Sequence, residues 1–272
     1  MRGSPLTLSL SILLLGALVQ APAQAADETL VKLKTPRGAE QSFLLSKPDK
    51  PAAAVILFAG GHGVLGLHGA SQMKWGARNF LVRSRDRFVA NGFMVAVMDA
   101  PSDRQDGMNA IFRMSAGHAG DIGAVAARLR QEADVPVWLI GTSMGTFSAA
   151  RGAISGNGIN GLVLTSTITR AKPEWKIASS HADGVGSMQL QRIGVPVLIV
   201  SHRKDGCDIT PAADAAKLKA RLTGAKTVEV ALLDGGAPPR SVPCEAMSQH
   251  GFLGIEDEAV AIIARFVKAS SR

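Results

Sequence analysis

The chain has 272 residues, 46% of them apolar, with 30 Lys plus Arg against 22 Asp plus Glu and two cysteines. That apolar fraction excludes a disordered chain, and 29 glycines without a Gly-X-Y period or a low-complexity tract exclude collagen-like and linker sequences. The net charge of +8 would point to an anionic partner only if the basic residues formed a tract. The densest group, Arg78, Arg83, Arg85 and Arg87, is interrupted by Phe80, Leu81 and Asp86 and reads as the solvated face of an amphipathic helix, so no nucleic-acid partner is expected.

In chain order, Met1 and Arg2 give a positive start, Leu6 to Val19 is an apolar stretch broken only by Thr7, Ser9, Ser11 and Gly16, and Ala23-Gln24-Ala25 offers the small residues of a cleavage site. This is the pattern of a secretory signal peptide cleaved after Ala25. The stretch falls short of the roughly 20 apolar residues a membrane-spanning helix needs, so no stable membrane insertion is expected once it is removed. Removal takes away one charged residue, Arg2, and leaves residues 26–272 as a single domain in a secreted or periplasmic protein. In such an oxidising compartment the even cysteine count favours one disulfide, Cys207 to Cys244, contributing on the order of 4 kcal/mol by restricting the unfolded chain.

Thr29 to Leu33 and Gln41 to Leu45, separated by Thr35-Pro36-Arg37-Gly38, suit an antiparallel hairpin at a sheet edge. Ala53 to Phe58, Phe93 to Met98, Val137 to Ile140, Leu162 to Leu164 and Val195 to Val200 are continuous apolar runs, as expected of parallel strands covered on both faces. Thr227 to Leu232 supplies a last strand. Helical spacing appears in Ile122, Val125 and Leu129 and again in Val260, Ile263 and Val267. A further helix, Ala212 to Leu222, has Thr210 as its expected N-cap and Pro211 at its first position. The alternation predicts a doubly wound, mostly parallel α/β sheet, whose ligands bind beyond the carboxyl ends of the strands.

One strand end carries a motif with its required context. Val137 to Ile140 runs into Gly141-Thr142-Ser143-Met144-Gly145 and then the small residues Ser148, Ala149 and Ala150, giving G-x-S-x-G between a strand and a helix. Flanking glycines let such a turn pass close to its neighbours and expose the serine hydroxyl, and the helix N-terminus favours developing negative charge, which makes Ser143 a candidate nucleophile.

With these features the chain resembles the α/β-hydrolase superfamily over nearly all of residues 26–272. The resemblance implies a triad in the order Ser, acid, His. Its acid should follow the strand ending at Val200, where Asp205 fits best by distance and Asp208 stays open as the alternative. The loop before the terminal helix places His250 as the general base. Met144 and Gly61 are then the expected oxyanion donors, with His62 close behind Gly61. The superfamily's usual histidine at the start of that loop is Ala59 here, which leaves the donor open. Cys207 lies two residues beyond Asp205 and Cys244 six before His250, so the disulfide would join the acid loop to the histidine loop.

Asp205 comes only 62 positions after Ser143, too short a span for a large lid domain. Thr165 to Gly186, with Trp175, is the irregular stretch expected to overhang the site, and His62 and Trp175 are candidate pocket residues. Asp99-Ala100-Pro101-Ser102 is a further candidate border. His118 and His202 read as ordinary surface or loop residues or as supporting contacts behind the site, and both readings stay open.

Gly61-His62-Gly63-Val64-Leu65-Gly66 matches G-x-G-x-x-G formally. Asp86 lies in the Arg-rich segment and Asp99 comes 33 residues after Gly66, so neither acid suits a dinucleotide ribose. No helical spacing makes His62, His68 and His118 a metal site. The expected chemistry therefore needs no cofactor and no metal: a serine hydrolase acting on an ester or thioester of a small-molecule or acyl substrate. A non-catalytic binding protein on the same fold, or an acyltransferase or peptidase with the same triad, are the alternatives, and the sequence says nothing of oligomeric state.

Overall fold

A computed structural model describes residues 27–271, so the expected signal segment and the expected cleavage after Ala25 lie outside the described residues. In chain order the structure contains β1 (Glu28–Lys34), β2 (Glu40–Ser46), β3 (Ala53–Phe58), β4 (Leu67–Gly69), β5 (Gln72–Met73), α1 (Phe80–Arg83), α2 (Arg85–Ala90), β6 (Phe93–Met98), α3 (Ala110–Arg113), α4 (Ala116–Glu132), β7 (Val137–Thr142), α5 (Gly145–Ser155), β8 (Gly161–Thr165), β9 (Val197–His202), α6 (Ala215–Arg221), β10 (Val228–Leu233) and α7 (Glu256–Ser270).

Eight strands form one sheet in the order β1-β2-β6-β3-β7-β8-β9-β10, and β4 and β5 pair separately as a small hairpin. The hairpin of β1 and β2 is antiparallel and sits at the edge, β2 meets β6 antiparallel, and every other neighbouring pair is parallel. The chain passes from β3 to β6 on one side, then back to β7 on the other. A crevice opens at such a reversal, beyond the carboxyl ends of β3 and β7.

Period-two alternation divides the strands between two cores. Ile56, Leu139, Leu164 and Ile199 face the layer of α4, α5 and α6, packing with Ile122, Val125, Leu129 and Phe147. Leu57, Ile140, Val163 and Val200 face α1, α2 and α7, packing with Phe80, Phe88, Val260 and Ile263. Both faces being covered is why these strands read as unbroken apolar runs. Between β8 and β9 lie only turns and two short 3-10 helices, Gly184–Ser187 and Leu190–Arg192, with no lid domain. Among the described residues no helix is long and apolar enough to cross a membrane.

Two local expectations need correction. The arginine-rich segment is not one helix with a solvated face: it breaks at Ser84, which is buried, and Arg78 precedes the first helical turn. Arg83 and Arg85, only 16% and 18% exposed, pair with Glu256 on α7 and with Glu28 on β1. The helix after β9 also starts later than its proline suggested. Pro211 is extended, a 3-10 turn spans Ala212–Asp214, and α6 begins at Ala215, because the Thr210 hydroxyl that would have capped it is bonded elsewhere.

Candidate active site

Ser143 sits between β7 and α5 with φ of +52°, a left-handed conformation that is strained for a residue with a Cβ and typical of a serine held out at a sharp strand-to-helix turn. The turn requires glycine at its end: a Cβ on Gly145 would lie 2.1 Å from the Phe58 carbonyl oxygen, so only a bare backbone lets α5 start against the end of β3. The Ser143 N–H donates to the Thr165 carbonyl at 3.1 Å, which fixes the turn to β8.

The carboxylate that meets His250 is Asp205, not Asp208. Asp205 Oδ2 lies 3.0 Å from His250 Nδ1, and the two side chains are 0% and 5% exposed. The Thr210 hydroxyl donates to the same oxygen at 2.9 Å and stands 3.1 Å from Nδ1, while the Cys207 N–H donates to Oδ1 at 2.9 Å. A carboxylate accepts only, so the proton of this pair sits on Nδ1 and the lone pair on Nε2. That Nε2 atom is buried with no hydrogen-bond partner among the described residues. Asp208 is exposed and lies beside the Cys244 sulfur instead.

Each loop is held by contacts from distant parts of the chain. In the acid loop the Lys204 N–H donates to His202 Nδ1 at 3.0 Å, so His202 carries its proton on Nε2 and donates to the Gly235 carbonyl at 3.1 Å. In the histidine loop the Ser166 hydroxyl donates to the His250 carbonyl at 2.7 Å, and the Arg83 guanidinium donates to the carbonyls of Gly251 and Ala246. A disulfide joins Cys207 to Cys244 and thereby links the two loops.

The loop after β3 passes directly over the serine turn, with Gly60 so close that an added Cβ would stand 2.9 Å from the Ser143 Cβ. Neither the Met144 nor the Gly61 N–H has a hydrogen-bond partner among the described residues. Behind the loop lies Arg113, fully buried with no carboxylate beside it. It donates to the carbonyls of Ala59 at 3.3 Å and Gly61 at 3.2 Å, to that of Met108 at 3.2 Å and to the Ser148 hydroxyl at 2.9 Å. Gly63 makes room for it, since a Cβ there would come within 2.2 Å of Arg113 Nη2. Burial pulls the Arg113 guanidinium down to about 9, and it stays charged at neutral pH.

Ser148 Oγ is also 2.9 Å from His118 Nε2, and accepting from Arg113 leaves the hydroxyl to donate to that nitrogen. Burial first, then the nearby charges of Arg113 and Arg37, push the His118 pKa down to about 3. The unfolded chain binds this proton from about pH 6.5 downward while the folded one does so only near pH 3, so stability is lost as pH falls through that window. Between pH 7 and 4 the loss from this group is expected to be on the order of 3 kcal/mol in denaturant titrations. His118→Gln should lack that component, and an NMR titration placing His118 near 6.5 would contradict it.

Asp99 does not border the crevice. Its buried carboxylate accepts from the N–H groups of Leu65 at 2.6 Å, Leu67 at 2.9 Å and Ala100 at 2.7 Å, folding the glycine-rich loop around itself, and none of residues 99–102 lines a hollow beside Ser143. His62, His68 and His118 do not converge. Among the described residues the one group of three His, Cys or acid side chains close enough to share an ion is Cys207, Asp208 and Cys244, whose sulfurs are joined to each other.

A hollow of about 590 Å³ is lined by Ser143 and His250, with Gly61 and His62 in its wall. Ser143 and His250 share it without a hydrogen bond between them, and such contacts often tighten only when substrate is bound. Trp175 lines a second hollow of about 600 Å³ with Met144, which also touches Gly61 and His62.

No protein-family model matches the chain, and no curated protein matches it. Solved structures do. An esterase of Pyrococcus furiosus, Pf2001, superposes with a TM-score of 0.64 at 14% identity, covering 91% of this chain and 92% of that one. A dienelactone hydrolase from Anabaena variabilis gives 0.61 at 12% identity over 92% of this chain and all of that one. XC6422 from Xanthomonas campestris, an α/β serine hydrolase without a lid, gives 0.57 at 14% identity over 92% and 97%. The fold is that of the α/β-hydrolases. Within this hydrolase fold the serine turn follows β7, Asp205 follows β9 and His250 follows β10, so the three candidates leave three different strand ends on the same side of the sheet.

The roles at the site that the sequence did not show are those of Thr210, Arg113, Ser166 and Arg83. Thr210 alone had a signal, a hydroxyl residue five positions after Asp205, which also reads as a helix cap.

Proposed function

We propose that the chain is a serine hydrolase that cleaves a carboxylic ester or thioester through an acyl-enzyme on Ser143, with His250 as general base and Asp205 as the acid that orients it. The observation that carries this is the buried Asp205–His250 hydrogen bond, which leaves Nε2 without a partner on a histidine that lines the same hollow as Ser143. The left-handed serine and the names of the structural neighbours, esterases among them, support the reading.

His250 Nε2 takes the Ser143 proton as Oγ bonds to the carbonyl carbon of the substrate. The oxyanion that forms accepts from the Met144 and Gly61 N–H groups. Collapse of the tetrahedral intermediate breaks the bond to the leaving alkoxide or thiolate, which departs with the proton from Nε2. Water then attacks the acyl-serine by the same route, its proton passing through His250 back to Ser143 Oγ and the acid being released. None of these steps calls for a cofactor or metal. Residues 1–25 act in export and residues 26–272 as one domain in a secreted or periplasmic protein, a setting that suits the Cys207–Cys244 disulfide.

Purified protein mixed with 4-nitrophenyl butyrate should release a burst of about one nitrophenolate per protein and then turn over steadily. Failure to turn over a panel of acyl esters and thioesters would contradict the proposal, and product diverted to added alcohols ahead of water would mark an acyltransferase instead.

A further inference from the structure

We propose that the Ser143 site takes esters or thioesters in which an apolar acyl group is joined to a negatively charged leaving group; this rests on the hydrolase reading and specifies its substrate. The two hollows beside the serine turn meet at Gly61 and His62, but they differ in what they contain. His250 lines the first and not the second. Because His250 hands its proton to the departing oxygen or sulfur, the leaving group must lie in the first hollow, and the acyl group extends into the second, past Met144.

The charges around the two hollows have opposite signs. The first is lined by Lys74, Arg78 and Arg240 with Glu245 as the one carboxylate at its rim. None of these three cations forms an ion pair among the described residues. In the same arginine-rich segment Arg83, Arg85 and Arg87 are each matched to an acid, Glu256, Glu28 and Asp257. The segment therefore spends its other cations on the fold and leaves Arg78 facing the hollow.

All three unmatched cations stand on fixed backbone. The Lys74 N–H donates to the Leu65 carbonyl at 2.9 Å, the Arg78 carbonyl accepts from Arg83 at 2.6 Å, and the Arg240 N–H donates to the Met247 carbonyl at 2.7 Å. The second hollow is lined by Met108, Ile111, Met144, Trp175 and Ile177, and Ile111 is 50% exposed there. Its charged lining is two acids, Asp106 and Glu174, against Lys176, a balance that repels an anion. Three cations converging on a cleft raise the local concentration of an anionic ligand and its encounter rate, an effect that salt screens. Carboxylate, sulfonate and phosphate share this recognition chemistry, and a phosphorylated or carboxylated alcohol or thiol is the natural form of such a leaving group.

The test compares 2-naphthyl butyrate with 6-sulfonato-2-naphthyl butyrate, which differ by one charge on the leaving group. The ratio of kcat/KM is expected to favour the sulfonate by about tenfold at an ionic strength of about 0.01 M and to shrink toward unity near about 1 M. In K74Q/R78Q/R240Q the ratio should fall to about one at low salt. Partial misfolding of the variant would lower both rates by the same factor, which cancels in the ratio, so the ratio reports only the folded protein. Moving the charge to the acyl side, in mono-2-naphthyl adipate, should lower kcat/KM below that of the butyrate. Hydrolysis of the neutral ester with no preference for the sulfonate, or a preference that survives the triple substitution, overturns this inference and leaves the hydrolase reading standing. Hydrolysis of none of the esters overturns both.

Discussion

His250→Ala is expected to lower kcat for ester hydrolysis by about a millionfold, as much as Ser143→Ala does, and the double variant should be hardly worse than either single one. The reason is that the two groups perform one act. Without an acceptor for its proton the serine hydroxyl is a poor nucleophile, and without the serine the imidazole has nothing to activate. The surroundings of His250 serve only to present Nε2: Asp205 and Thr210 occupy the other ring nitrogen, Ser166 holds the backbone carbonyl, and Arg83 holds the next residues of the loop. Steady-state rates with 4-nitrophenyl butyrate measure this, and a His250→Ala protein within about tenfold of the parent would remove the histidine from the mechanism.

Asp205→Asn is expected to cost about four orders of magnitude in kcat, whereas Asp208→Asn should change it by less than about twofold. An asparagine amide at position 205 can present its NH2 to Nδ1, which draws the lone pair to that nitrogen and leaves the proton on Nε2, where a base cannot use it. The Thr210 hydroxyl and Cys207 N–H already donate to this carboxylate, so the exchange also leaves buried donors competing for one oxygen. Asp208 offers no such contact: it is exposed beside the disulfide. Equal losses from the two variants, read as kcat at saturating substrate, would contradict the division between them.

What could be read in advance follows from the range over which each feature is determined. The doubly wound sheet was legible because the apolar runs Ala53 to Phe58 and Val195 to Val200 record burial on both faces, a property of the strand itself. Ser143 was legible for a similar reason: the glycines at 141 and 145 and the strand before them lie within ten residues. The acid is different. Asp205 and Asp208 share one loop, and what separates them is the position of His250, 45 residues away from Asp205. Thr210 looked like a helix cap because its local sequence, followed by proline, is the same whether its hydroxyl turns to the helix or to Asp205. The arginine-rich segment misled for the same reason. Its charges alternate with apolar residues as a solvated helix would, yet the acids that bury Arg83 and Arg85 sit on α7 and β1. Arg113 carried no sequence signal, since the carbonyls it gathers belong to Met108 and to a loop more than 50 residues earlier.

The most direct measurement is covalent labelling with a fluorophosphonate, which captures only a serine activated as a nucleophile. Mass spectrometry of the digested protein should find the adduct on the peptide carrying Ser143, absent from Ser143→Ala and lost again when the protein is unfolded beforehand. Folded protein that takes no label, or takes it at another serine, would contradict an acyl-enzyme on Ser143.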